Sequence, residues 1–146
     1  MKNSEEILEA CNKLDIEARS LSKIESVKII SATLDKYNVQ KKSGHLAIHV
    51  NSLSLPLEEY EFSYSDYLTD ESVYMFFDQK NLNKDEVIVI SQAKRVGEIM
   101  QNSYGMEYFL TNYTISFLLA VNWYVIEGAG DALKWIELLQ NDERKV

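Results

Sequence analysis

Residues 106–130, MEYFLTNYTISFLLAVNWYVIEGAG, form the densest run of β-branched and aromatic residues in this chain, and from Tyr108 to Ile126 they carry no charge. The uncharged part has about the length of a helix crossing the roughly 30 Å of a bilayer core. Thr111, Asn112, Thr114, Ser116 and Asn122 interrupt it, however, and its flanks are Glu107 and Glu127 rather than Lys or Arg. A hairpin of buried strands fits better. The pattern predicts strands at Met106–Leu110 and Ile115–Val121 joined by Thr111–Thr114, with Trp123–Ile126 continuing the second. Gly128 and Gly130 then make a turn, and Asp131 caps a last helix carrying Leu133, Ile136, Leu138 and Leu139.

Upstream, Val73–Phe77 (VYMFF) and Val87–Ile90 (VIVI) are short apolar runs bounded by polar turn residues, which predicts two more buried strands. Ser91 caps a helix with the face Ala93, Val96, Ile99, Met100 and Tyr104, stopped by Gly105. Nearer the N-terminus, Asn3 with Glu6 and Ser22 with Glu25 each have capping-box spacing. Apolar stripes follow at Ile7, Cys11, Leu14, Ala18 and Leu21, and at Ile24, Val27, Ile30, Leu34 and Tyr37. They predict helices over 4–19 and 23–37, an antiparallel pair. Leu46, Ile48 and Val50 alternate with polar or small neighbours as in a half-buried strand. Pro56 marks a break, and 57–68 suits either a helix or a strand. The fold class expected is α+β: a helical pair in 4–37, strands with one inserted helix in 44–127, and a C-terminal helix in 129–141. The sheet is mostly antiparallel, with β-β-α-β-β-α order in the C-terminal half. The tail NDERKV is expected to fray.

The length of 146 residues fits one domain with a real core, and 46% hydrophobic residues excludes global disorder. Asp and Glu outnumber Lys and Arg by 23 to 15, a net charge of -8. That balance disfavours nucleic acid and anionic membranes, whose phosphates want cations, and suits a basic protein partner. A single cysteine, Cys11, leaves no internal disulfide. The N-terminal stretch is acidic and has no apolar h-region, so no signal peptide is expected and the expected compartment is the cytoplasm. The sequon Asn112-Tyr113-Thr114 then has no meaning.

Catalytic and cofactor signatures are missing from the pattern. Glu127-Gly-Ala-Gly-Asp131 resembles the start of a nucleotide loop, but Leu133 stands where a third glycine belongs, so a tight turn is the better reading. His45 and His49 lack a local Cys or carboxylate partner, so no metal site is expected. Cys11 lies on an apolar stripe and reads as a small buried hydrophobe. The informative feature is charge segregation. From Ser43 to Gln79 there is no Lys or Arg, while acidic and aromatic residues interleave through Glu58, Glu59, Tyr60, Glu61, Tyr64, Asp66, Tyr67, Asp70 and Glu71. Carboxylates steer a basic partner and aromatic rings supply anchor area, so these nine are the expected partner-binding residues.

The C-terminal half resembles small bacterial immunity proteins, the cytosolic partners that neutralise polymorphic or contact-dependent toxins, together with related uncharacterised families. The likeness lies in a strand ending in Asp (Tyr74–Asp78), a strand–helix unit (Val87–Gly105), an aromatic-rich strand (Tyr108–Thr111), a strand closing on Asn (Ser116–Asn122) and a Gly-containing turn (Gly128–Gly130). The resemblance implies a non-catalytic protein, free of cofactor and metal, that binds a basic toxin domain such as a nuclease stoichiometrically. It would act as a monomer or small homo-oligomer. Two other readings accompany it: a small ligand-binding or enzymatic domain with a pocket near Trp123 and Tyr124, and an oligomeric structural subunit associating through its tyrosines.

Overall fold

The computed structural model describes residues 1–144, and its first element, helix α1 (Asn3–Lys13), stops well short of residue 19. The cause is a Schellman turn. Asp15 takes a left-handed conformation (φ 57°), its N–H bonds Asn12 O at 3.3 Å, and Ile16 N–H bonds Cys11 O at 2.9 Å. Ile16 is thereby turned into the core, and Ala18–Ser20 becomes strand β1. The proposed Asn3–Glu6 capping box does not form either. Asn3 N–H bonds Asn83 Oδ1 at 2.9 Å, and Glu6 accepts from the Tyr104 N–H. Ser22 does cap α2 (Lys23–Lys36), with Glu25 N–H on its Oγ at 3.2 Å and its own hydroxyl on the Glu25 carboxylate. This helix ends in the same way as α1, with Asn38 left-handed (φ 48°) and Val39 N–H on Leu34 O.

The chain then runs β2 (Leu53–Pro56), a single helical turn α3 (Leu57–Tyr60), a 3-10 turn (Tyr64–Tyr67), β3 (Val73–Phe77), β4 (Val87–Ile90) and α4 (Val96–Gln101). It closes with β5 (Tyr108–Asn112), β6 (Phe117–Val121), β7 (Val125–Gly130) and α5 (Ala132–Arg144). The seven strands form one sheet in the order β1-β4-β3-β5-β6-β7-β2, with every neighbour antiparallel. The expected α+β class with an antiparallel sheet is therefore what the chain adopts. Pro56 ends β2 at the sheet margin, where a missing N–H removes no ladder bond from a central strand.

Alternation along the strands gives the sheet two apolar faces. Val73, Met75, Phe77, Tyr108, Leu110, Leu119 and Val121 lie in one cluster with α1, α4 and α5, through Ile7, Cys11, Val96, Ile99 and Ile136. Phe76, Phe109, Leu118 and Ala120 lie in the other with Ile30 of α2 and with Leu46 and Ile48. The two N-terminal helices thus cover opposite faces of the sheet and do not form the expected pair, because β1 carries the chain around its edge between them. The buried side of α2 is Ser26, Ile30 and Thr33, which leaves Ile24 and Val27 of the anticipated stripe exposed.

Three further expectations change. Residues 46–50 are not a strand: His45, His49 and Asn51 are left-handed, and a lone bridge, Lys41 with Ala47, stands in for a ladder. Tyr104 is 98% exposed and does not belong to the α4 face, and the helix is stopped not at Gly105 but earlier, at Gln101 with Asn102 as its C-cap. Three strands rather than two follow α4, since 125–130 is β7 and not a turn. Gly128 is needed there for space: a Cβ would run into Ile136 and lie 3.0 Å from Ala132 and Leu119, so its absence lets α5 seat on β7. The last helix continues past 141 to Arg144. The expectation of fraying for Lys145 and Val146 lies outside the described residues.

Candidate functional site

The segment 57–71 folds as a ridge clamped to the domain from beneath. Leu57 and Leu68 are buried at its ends, and Tyr64 lies wholly inside, its hydroxyl 2.7 Å from that of Tyr108. Ser65 Oγ accepts from Gly97 N–H at 3.0 Å and donates to Lys94 O at 3.1 Å. Gly97 permits this approach, because a Cβ there would strike the Phe62 carbonyl. Apolar spacing at Leu57, Tyr64 and Leu68 thus fixes the inner side of the ridge and turns Glu58, Glu59, Asp66 and Asp70 outward.

The nine expected partner-binding residues divide accordingly. Glu58, Glu59, Asp66, Tyr67 and Asp70 are exposed. Tyr64 is a correction: it is a core residue, since only burial of its ring closes the sheet face beneath the ridge. Tyr60 is half-buried and packs against the same core. Glu71 is half-buried and accepts from Asn112 Nδ2 with both carboxylate oxygens at 3.2 Å. Asn112, the sequon asparagine, is consequently buried. Glu61 is also half-buried, and desolvation pushes its carboxyl above the usual range. Burial likewise drives the Tyr64 and Tyr108 hydroxyls up, so this hydrogen-bonded pair stays neutral.

Two exposed rings complete the ridge, Phe62 and Tyr67, the latter stacked on Trp135 of α5 with ring centroids 5.7 Å apart. Phe62 is absent from the nine, and a strand period would not have found it, since that would set it on the side of Tyr64, which is buried while Phe62 is exposed. Two cations lie beside the ridge. Lys94 Nζ reaches the Asp66 backbone carbonyl, and Arg95 is held by Glu98 at 2.8 and 3.0 Å, a hydrogen-bonded pairing that keeps the Glu98 carboxyl low.

A second surface lies at the end of the sheet where β6 turns into β7. Trp123 is 53% and Tyr124 71% exposed, and they do not enclose a chamber under the sheet. Trp123 instead lines a surface groove of about 450 Å³ with Asp78, Leu82, Gly105 and Glu107. Asn122 shapes the turn: its Oδ1 accepts from Tyr124 N–H at 2.8 Å and Val125 N–H at 2.9 Å, and its Nδ2 donates to Leu46 O. The two histidines lie on the adjoining loop, which is fastened by the buried Glu127 carboxylate through Ile48 N–H (2.6 Å), His49 N–H (2.8 Å) and Ser52 Oγ. Among the described residues no group of His, Cys, Asp and Glu is arranged to hold a metal ion, and no helix is long and apolar enough to cross a membrane.

Compared with known protein families, curated proteins and solved structures, the chain matches none of them. What the fold defines is an α+β protein built on a seven-stranded antiparallel sheet, both of whose faces are filled by its own side chains.

Proposed function

We propose that this chain is a non-catalytic cytoplasmic binding protein, an immunity protein that neutralises a basic toxin domain by stoichiometric association. The observation that carries the reading is the outward set Glu58, Asp66 and Asp70 beside the exposed rings of Phe62 and Tyr67, on a ridge whose inner side is locked into the core. A rigid acidic surface with aromatic anchors offers fast electrostatic encounter and buried contact area without an ordering cost on binding. The likeness of the C-terminal half to immunity proteins supports the same assignment.

The test uses the protein as bait in a lysate of toxin-expressing cells, beside a Glu58→Lys/Asp66→Lys/Asp70→Lys variant. A basic protein retained at low salt, released at high salt and lost with the variant is the expected result. With that protein purified, charge reversal should slow association about ten-fold or more at low salt and far less at high salt. No salt-sensitive partner, or one that binds both baits equally, would remove the ridge from consideration.

A further inference from the structure

Of the four exposed tyrosine and tryptophan rings outside the ridge among the described residues, Tyr113 follows Asn112 at one end of the sheet, and Tyr104, Trp123 and Tyr124 gather at the other. Phe77 pairs with Tyr108, Tyr108 with Val121 and Val121 with Ile126, so the end of β3, the start of β5 and the β6–β7 turn are neighbours there. At this end Tyr104 is 98% exposed, and Trp123 lies over Gly105, where a Cβ would sit 3.5 Å from its ring. Tyr124 stands beside His45, with ring centroids 5.7 Å apart.

These rings are held from behind. Asn122 fixes the turn through three hydrogen bonds, and the Tyr104 N–H is tied to Glu6. Displaying a tryptophan and a tyrosine on a pinned turn contributes nothing to the core. It does reduce what a partner must order on contact, and these residue types dominate interface energetics.

Charge identifies the partner. Tyr124 O accepts from Leu57 N–H at 3.0 Å, so the turn abuts α3 with its exposed Glu58. On the other side the Trp123 groove is lined by Glu107, half-buried with one oxygen on Leu46 N–H, and by one cation, Lys80, while Asp78 there is turned onto Gly44 N–H. Ring faces flanked by carboxylates suit guanidinium and ammonium groups, which stack on the ring while the acids neutralise them.

We propose that the Asn122–Tyr124 turn anchors the interface, with Trp123 and Tyr124 receiving Arg or Lys side chains of a basic protein partner between Glu58 and Glu107. This rests on the reading of a basic partner and moves the anchor from the ridge to the turn, the ridge being left to steer the encounter.

The probe is an oligoarginine peptide, titrated by calorimetry at low salt into the full chain. Variants are Trp123→Ala/Tyr124→Ala, the conservative Trp123→Phe/Tyr124→Phe, and Asp66→Lys/Asp70→Lys on the ridge. Loss of two cation–π contacts is expected to weaken binding about ten-fold or more in the alanine variant, with the phenylalanine variant recovering most of it. Unchanged binding by the alanine variant together with loss in the ridge variant overturns the turn as anchor and leaves the ridge reading standing. No binding of oligoarginine by the unaltered chain overturns both. Should the alanine variant not fold, Trp135→Phe leaves Trp123 as the single tryptophan of the two in the chain. A saturable change in its emission is then expected, and a flat titration overturns the proposal.

Discussion

Replacing Glu127 by alanine should reveal how much of this domain hangs on one buried carboxylate. Glu127 is 8% exposed and accepts from Ile48 N–H, His49 N–H and Ser52 Oγ. Stranding a buried donor costs about 1–3 kcal/mol, and less where water can replace the lost acceptor. Ile48 is fully buried, so its amide falls near the middle of that range, about 2 kcal/mol. His49 is exposed and Ser52 half-buried, so water recovers most of their loss, leaving about 0.5–1 kcal/mol each. The same contacts hold His49 and Asn51 left-handed, and releasing them loosens Leu46 and Ile48 from the second core face. The total expected for Glu127→Ala is about 3–5 kcal/mol, a large part of a typical domain's 5–15. Glu127→Gln keeps one acceptor but turns an NH2 toward a donor, and should fall between. Urea unfolding measures the loss, and hydrogen exchange at the Ile48 and His49 amides locates it. A loss below about 1 kcal/mol with the Ile48 amide still protected would refute the reasoning.

Gly128→Ala places a Cβ against Ile136 and Ala132, and should lower stability by about 1–3 kcal/mol through displacement of α5, read from thermal or urea unfolding. Tyr64→Phe and Tyr108→Phe should each cost about 1–3 kcal/mol by leaving the other hydroxyl buried without a partner. The double variant should cost clearly less than their sum, and an additive cycle would contradict the pairing. Burial pushes the Cys11 thiol from its ordinary 9.0 up to about 11, so the folded chain holds that proton more tightly than the unfolded one. Its contribution to stability is full below pH 9 and is lost as pH rises through 11. Labelling of Cys11 by a thiol reagent at pH 8 should run at least about a hundred-fold slower folded than in denaturant, because the thiolate fraction alone falls by that factor.

The strands that the sequence made legible are those whose information is local. Val73–Phe77 and Val87–Ile90 are short apolar runs with polar ends, and they fold over those residues. The Ser22–Glu25 cap is likewise a three-residue matter. Long-range contacts account for the failures. Residues 14–18 continue a helical stripe, yet Asp15 closes the helix and β4 recruits Ala18–Ser20 as a strand. Residues 46–49 alternate like a strand, but Glu107, Asn122 and Glu127 supply the hydrogen bonds of Leu46, Ile48 and His49, and Ala47 pairs with Lys41 alone, so no neighbouring strand is required. Within the ridge the spacing of Leu57, Tyr64 and Leu68 marks the inner side, while the partner that receives the Tyr64 hydroxyl, Tyr108, lies far along the chain and leaves no local signal.

The net charge of -8 therefore hides two populations of carboxylate. One is structural: Glu71, Glu107 and Glu127 have their oxygens turned onto Asn112, Leu46, and Ile48 with His49, and Asp78 accepts from Gly44 N–H. Charge reversal at Glu71, Glu127 or Asp78 would therefore damage the fold before it touched any interface, whereas Glu107 also borders the Trp123 groove. The other population, including Glu58, Asp66 and Asp70, is exposed on surfaces already rigid without it. Reversing those charges should leave the unfolding midpoint nearly unchanged while altering association, since an exposed acid far from an ion pair contributes little to stability. That separation makes charge reversal on 58–70 a test of binding rather than of folding. It also explains why counting acids along the segment could not distinguish them: Glu71 and Asp70 are adjacent in sequence, yet one is turned onto Asn112 and the other is exposed.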